Sequence, residues 1–174
     1  FFFLSVYADA VFFPNIHPLD FAQEGIRIEL DDDGKPQYHG IVFNEMKGAM
    51  SGEIDQLYYA LTPHLFPTTT YHYNSGGDPA EIPKLSHADL VAFHQAHYHP
   101  SNAIIMSFGD IPVSEIQEKL HDDALSRFDD ITRPAQGKKF SSSLEQPLTT
   151  PVAVSDTYSS DSDGKQMTHH VLAW

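Results

Sequence analysis

The stretch Ile41-Val42-Phe43-Asn44-Glu45-Met46-Lys47-Gly48-Ala49-Met50 sets the reading of the whole chain. At 3.6 residues per turn, Val42, Glu45, Met46 and Ala49 fall on one helical face, with Asn44 and Lys47 turned away. The pattern therefore sets one carboxylate into an apolar stripe. An ionised carboxylate removed from water needs a cation, a metal or several hydrogen-bond donors to meet it. Three placements stay open on these residues alone: Glu45 as a ligand, Glu45 paired with an arginine of the core, or Glu45 at the stripe's edge reaching solvent.

Working outward, Ile54, Leu57, Tyr58, Leu61 and Leu65 predict an amphipathic helix that Pro63 should kink or close early. Upstream, residues 2–13 read as a buried helix stopping before Pro14, with Phe3, Val6, Tyr7 and Ala10 on one face. Leu19–Leu30 is divided: Phe21 and Ala22 suggest helix, whereas Ile26–Leu30 alternates like a strand. Asp31-Asp32-Asp33-Gly34 breaks it as a solvated turn. Thr69–Asn74 alternates as a short strand into the turn Ser75-Gly76-Gly77-Asp78-Pro79. Ser86-x-x-Asp89 fits a capping box, opening a helix whose buried side is Leu90 and Phe93. Ala103–Phe108 reads as a strand, and Ile116, Leu120, Ala124 and Phe128 recur at helical spacing. Residues 131–165 carry much Pro and Ser and no long apolar period, so they read as an extended connector. Gln166–Trp174 alternates as a strand, expected to begin a further domain. A chain opening on Phe1-Phe2-Phe3 is expected to be a piece of something longer, its true N-terminus not seen.

Composition narrows the chemistry. Hydrophobic residues make up 41% of 174, enough for a folded core and too many for a disordered chain. The formal charge of −14 and only ten scattered Lys and Arg speak against a phosphate-binding surface, so no nucleic acid is expected as a partner. With no run of about 18 apolar residues, no membrane span is expected and the chain reads as soluble. Without cysteine, any metal must be held by His, Asp or Glu.

Eleven histidines invite a metal reading. His94, His97 and His99 cluster at a helix end, but no Glu lies among them and Pro100 stops the helix, so a structural role is favoured. His169 and His170 in a strand would point to opposite faces. Glu24, beside Gly25, also lies in an apolar segment, either as a supporting carboxylate or as the salt-bridge partner of Arg27, the latter slightly preferred. An acidic calcium module using Asp31–Asp33 or Asp161–Asp163 is a weaker alternative, short of oxygen ligands at fixed offsets.

Taken in order, five stretches carry a resemblance: Phe3–Pro14, Asp20–Gly25, Gly40–Gly48, Ser75–Pro79, and Phe93-His94-x-x-His97-Tyr98-His99-Pro100-Ser101-Asn102. Together they resemble the pitrilysin/insulinase superfamily of zinc metallopeptidases, in its presequence-protease branch, over most of residues 1–130. In that family zinc is held by two histidines of an inverted His-x-x-Glu-His helix, whose Glu is the general base, and by a glutamate downstream. The resemblance places that downstream ligand at Glu45, with Asn44 and Glu24 at most supporting. No His-x-x-Glu-His occurs in these residues. It implies one zinc ligand of three, no catalytic base in this chain, and inactivity alone.

The implied fold is α+β: residues 1–130 the later part of a metallopeptidase domain, helices on a mostly antiparallel sheet; 131–165 a linker; 166–174 the first strand of a second homologous domain. The implied function is a share in a zinc endopeptidase that degrades unfolded peptides, its partners being those peptides and the remaining domains of the same chain. The competing class is a non-catalytic homologue, a scaffold subunit that binds peptide without cutting it.

Overall fold

In the computed structural model, residues 2–128, 144–158 and 167–173 are described. In chain order they form α1 (Phe2–Phe12), α2 (Pro18–Asp20) running into a π-helical turn (Phe21–Gly25), β1 (Arg27–Leu30), β2 (Pro36–His39), α3 (Ile41–Ala49), α4 (Glu53–Leu65), α5 (His87–His97) and α6 (Val113–Asp123). Short 3₁₀ turns follow at Thr70–His72, Ile82–Lys84, Pro100–Asn102 and Leu125–Phe128. Among the described residues the architecture is helix-rich with one small sheet, in which β1 and β2 pair antiparallel with Arg27 opposite His39 and Leu30 opposite Pro36. The described residues divide into two compact units: those up to Phe21 with those from Leu85 to Phe128, and Ala22–Lys84 with those from Leu144 onward.

In the first unit the core joins α1 to α6. Ala8, Phe12, Leu120 and Ala124 are buried, with Leu4, Val11, Phe13, Ile116, Leu125 and Phe128 packed against them. The four-residue spacing of Ile116, Leu120 and Ala124 puts them on one stripe, and Phe128 continues it on a 3₁₀ turn. Phe128 stands edge-on to Phe12 with ring centroids 5.5 Å apart, and Arg127 lies 3.3 Å over the Phe13 ring while its guanidinium pairs with Asp9 at 2.8 Å.

The helix over 2–13 forms, but on a different face. Leu4, Ala8, Val11 and Phe12 turn inward, whereas Phe3, Val6, Tyr7 and Ala10 stay exposed. A helix this apolar all round gives its sequence no means of naming the buried side.

The Ser86 capping box is present: Ser86 Oγ accepts from the Asp89 N–H at 3.2 Å, and the Asp89 carboxylate accepts from the Ser86 N–H at 2.8 Å. Leu90 and Phe93 are exposed rather than buried. The inner face of α5 instead carries His87 and His94, which bond the backbone carbonyls of Ile16 at 2.6 Å and Val11 at 2.8 Å. Ile16 is the one non-glycine residue with positive φ (43°) among the described residues, a costly conformation for a β-branched side chain. His87 holds its carbonyl.

Three expected strands are not seen among the described residues. Thr70–His72 is a 3₁₀ turn, and neither Ala103–Phe108 nor residues 167–173 has a ladder partner among the described residues. Alternation supplies a face but not a neighbour, and a strand needs both. Most of the 131–165 connector and Asp161–Asp163 lie outside the described residues.

Candidate functional site

The candidate site lies in the second unit, around α3. Gly40 starts this helix, and its backbone presses on that of Gly25: a β-carbon at Gly40 would collide with the Gly25 carbonyl. That contact sets the Glu24-Gly25 turn against the start of the Glu45 helix. At the other end, the Met46 sulfur fills the space where a β-carbon at Gly76 would stand. Two stretches far apart in the chain thus meet α3: the Glu24-Gly25 turn and the Ser75–Pro79 turn. The sequence marked each stretch, but not the glycine contacts that join them.

The buried side of α3 is Phe43, which is 8% exposed and stands edge-on to Tyr38 at 6.0 Å, continued by the half-buried Met46 and Met50. The stripe through Val42, Glu45 and Ala49 faces outward. This corrects the expectation of an inward acid. Phe43 and Met46 win the core because Tyr38 and the Gly76 turn offer them partners, and such tertiary contacts override a pattern read on one helix.

Glu45 is exposed, and no hydrogen bond or ion pair holds its carboxylate among the described residues. Asn44 is exposed beside it, its N–H donating to the Gly40 carbonyl at 2.9 Å in the first turn of the helix. Glu24 is exposed and accepts from Gln23 Nε2 at 3.0 Å. It does not pair with Arg27. That guanidinium binds Glu29 Oε1 at 2.6 Å and donates to the Ala22 and Gln23 carbonyls, because strand alternation puts residues 27 and 29 on one side. Arg27, followed by His39 across the hairpin, holds the Glu29 carboxyl below the usual range.

No three His, Asp or Glu side chains converge to hold a metal among the described residues. The donors among the described residues do not make a metal site by themselves. The Asp31–Asp33 run folds as a turn: Asp31 Oδ1 accepts from the Asp33 and Lys35 N–H groups at 3.1 and 2.8 Å. Asp31 Oδ2 accepts in turn from Gln37 Nε2 at 3.3 Å, so both Asp31 oxygens are engaged within the hairpin. His94 is bonded to Val11, and His99 Nδ1 accepts from the Ser101 N–H at 3.1 Å.

Residues 84–174, just over half of the chain, match the family model described as "Peptidase M16 inactive domain". The chain belongs to the M16 peptidase family. Over 171 residues it is 40% identical to "Presequence protease, mitochondrial" of Xenopus laevis, covering 94% of this chain and 16% of that protein. It is 47% identical over 115 residues to the protein of that name in Schizosaccharomyces pombe (64% and 12%), and 36% identical over 159 residues to "Protein HypA" of Clostridium perfringens (88% and 16%). Within M16 the chain falls in the presequence-protease branch. It spans about one sixth or less of the curated relatives it matches. Glu45 and its glycine contacts precede the part that the M16 family model covers. Among the described residues, no helix is long and apolar enough to cross a membrane.

Proposed function

We propose that this chain is part of a zinc-dependent endopeptidase acting on unfolded peptides, to which it supplies Glu45 as the third metal ligand. The observation that carries the reading is the fixing of the Glu45 helix. Backbone contact at Gly40 and side-chain contact at Gly76 hold α3 at both ends, while the carboxylate stays outward and unengaged within the described residues. A ligand whose fellow donors come from elsewhere in a longer polypeptide needs this combination of rigid support and an open carboxylate. Zinc, when bound, supplies the Lewis acid of the hydrolysis. This chain's part is to add negative charge at a fixed point, and by itself it is inactive. Glu24 and Asn44, one at each side of the Gly25–Gly40 contact, support the position. In the same reading, residues 1–130 complete a first metallopeptidase-like domain, 131–165 link, and 166–174 open a second; the partners are unfolded peptides and the other domains of the chain.

The test is Glu45→Gln in the full-length protein, followed by zinc stoichiometry and hydrolysis of an unstructured peptide. Both should fall together by about tenfold or more, since even groups outside the ligand set cost that much at metal sites. Wild-type zinc content with wild-type turnover overturns the assignment.

A second reading, a non-catalytic homologue that binds peptide as a scaffold, draws on the family description of residues 84–174 as an inactive domain. It predicts peptide binding by the full-length protein without cleavage and without stoichiometric zinc.

A further inference from the structure

Beyond α4 the backbone leaves its helix with donors still to place. The Phe66 N–H closes on the Thr62 carbonyl at 2.9 Å, and Pro67 has no N–H to give. Thr68 and Thr69 therefore carry the first N–H groups outside the helical ladder. The Thr69 carbonyl is already committed, accepting from the His72 N–H at 3.1 Å as the 3₁₀ turn Thr70–His72 begins.

One carboxylate takes these donors. Glu145, half-buried, accepts from the Thr68 N–H at 2.9 Å through Oε2 and from the Thr68 hydroxyl at 2.8 Å through Oε1. Its own neighbour, the Gln146 N–H, adds a longer contact to Oε1 at 3.3 Å. The Thr68 N–H, then the Thr68 hydroxyl, then the N–H groups of Gln146 and Thr69 hold the Glu145 carboxyl below its ordinary 4.5. No Lys, Arg or His pairs with it among the described residues. In a chain of formal charge −14, an anion is thus held by donors alone. Successive backbone N–H groups aimed at one anion form a recognised binding concavity.

The turn also has polar capacity that Glu145 leaves unused. Thr69 Oγ1 and His72 Nδ1 are both enclosed and have no hydrogen-bond partner among the described residues. Enclosed polar atoms are ordinarily satisfied, so two orphans beside a bound carboxylate point to a ligand with more polar atoms than a glutamate side chain. Phe66 and Tyr71 add apolar surface to the same stretch, with ring centroids 5.5 Å apart and Tyr71 72% exposed. The end of a peptide supplies the missing parts together: a carboxylate, an adjoining N–H and C=O, and a side chain to lie on a ring.

We propose that the turn Thr68–His72 is a receptor for the C-terminal carboxylate of a peptide, with Glu145 as a tethered stand-in that such a peptide displaces. Capture of a chain terminus by backbone N–H groups is an established recognition mode, and a tethered ligand competes at an advantage over a free one. The site stands apart from the Glu45 assignment, since neither zinc nor turnover enters its test.

Amide exchange over residues 66–72, followed by mass spectrometry in the full-length protein, reads the site directly. Glu145→Ala should speed exchange at Thr68 and Thr69 about three- to tenfold, the loss expected of a charge-assisted hydrogen bond at a partly exposed position. Glu145→Gln, which keeps the shape and loses the charge, should fall between that variant and wild type. Added to Glu145→Ala at millimolar concentration, an N-acetylated dipeptide with a free C-terminus should restore the protection. The same dipeptide as its C-terminal amide should not, and acetate should do so less well. Unchanged exchange in Glu145→Ala, a wild-type rate in Glu145→Gln, or no protection by the dipeptide acid would overturn the proposal. Equal protection by the amide would overturn its carboxylate, and equal protection by acetate its peptide.

Discussion

The sulfur of Met46 occupies the position that a β-carbon on Gly76 would need. At Gly40 the obstruction is of another kind, a backbone carbonyl belonging to Gly25. A flexible thioether can rotate aside, but the backbone of a packed turn cannot. Gly76→Ala should therefore cost about 1 kcal/mol, and Gly40→Ala should reach the upper part of the roughly 1–3 kcal/mol range of overpacking. Urea denaturation of both variants checks the order. Met46→Ala in the Gly76→Ala background should recover little, because the cavity it leaves cancels the relief.

The same contacts explain which parts of the site were legible in the sequence. The stretches that build it were visible because each carries local signals: a helical period, a Gly-Gly turn, an apolar segment broken by glycine. The direction of Glu45 was not visible. It depends on Phe43 meeting Tyr38 and Met46 meeting Gly76, contacts between residues up to thirty positions apart. The Ser86 box and the Ile116–Phe128 stripe read correctly because their partners lie three or four residues away. Thr69–Asn74, Ala103–Phe108 and 167–173 misled because alternation says nothing about a pairing strand. Glu24 and Arg27 looked like partners by proximity in sequence, but the pleat gave Arg27 to Glu29.

The capping box at Ser86 offers a local test. Its hydroxyl, then its backbone N–H, hold the Asp89 carboxyl below the ordinary value of 3.8. Ser86→Ala should cost about 1 kcal/mol, the usual worth of an N-cap, and let the Asp89 carboxyl move back up toward that value. Carboxyl-detected NMR titration reads the second effect directly. An unmoved Asp89 would show that its own backbone contact suffices.

Leu120 is the most informative core position of the first unit. It is 8% exposed and packs with Ala8, Phe12 and Ala124 where α1 meets α6. Leu120→Ala should lower stability by about 2–5 kcal/mol, with the larger values expected if the rings of Phe12 and Phe128 cannot close the cavity. Thermal melts followed by near-ultraviolet dichroism should register both the loss and any loosening of the aromatic cluster. Phe3→Ala, on the exposed face of the same helix, should change the melt of this chain little.

Asp123 gives the pH dependence its sign. Lys119, 2.8 Å away, and then the hydroxyl of Ser5, which donates to the second carboxylate oxygen, hold the Asp123 carboxyl below its ordinary 3.8. A carboxyl lowered in the folded state binds fewer protons there than in the unfolded chain. Its stabilising effect is therefore fully present above the unfolded value and is lost as pH falls through the folded one. The window lies at and below about pH 4, on the acid side of any functional range. Asp123→Asn should flatten the acid limb of the stability curve while leaving the dependence at higher pH as it was. Ser5→Ala, which removes the smaller of the two causes, should move the same limb only part of the way. If Asp123→Asn left the acid limb unchanged, the contact between α1 and α6 through Ser5 and Asp123 would have no part in setting it.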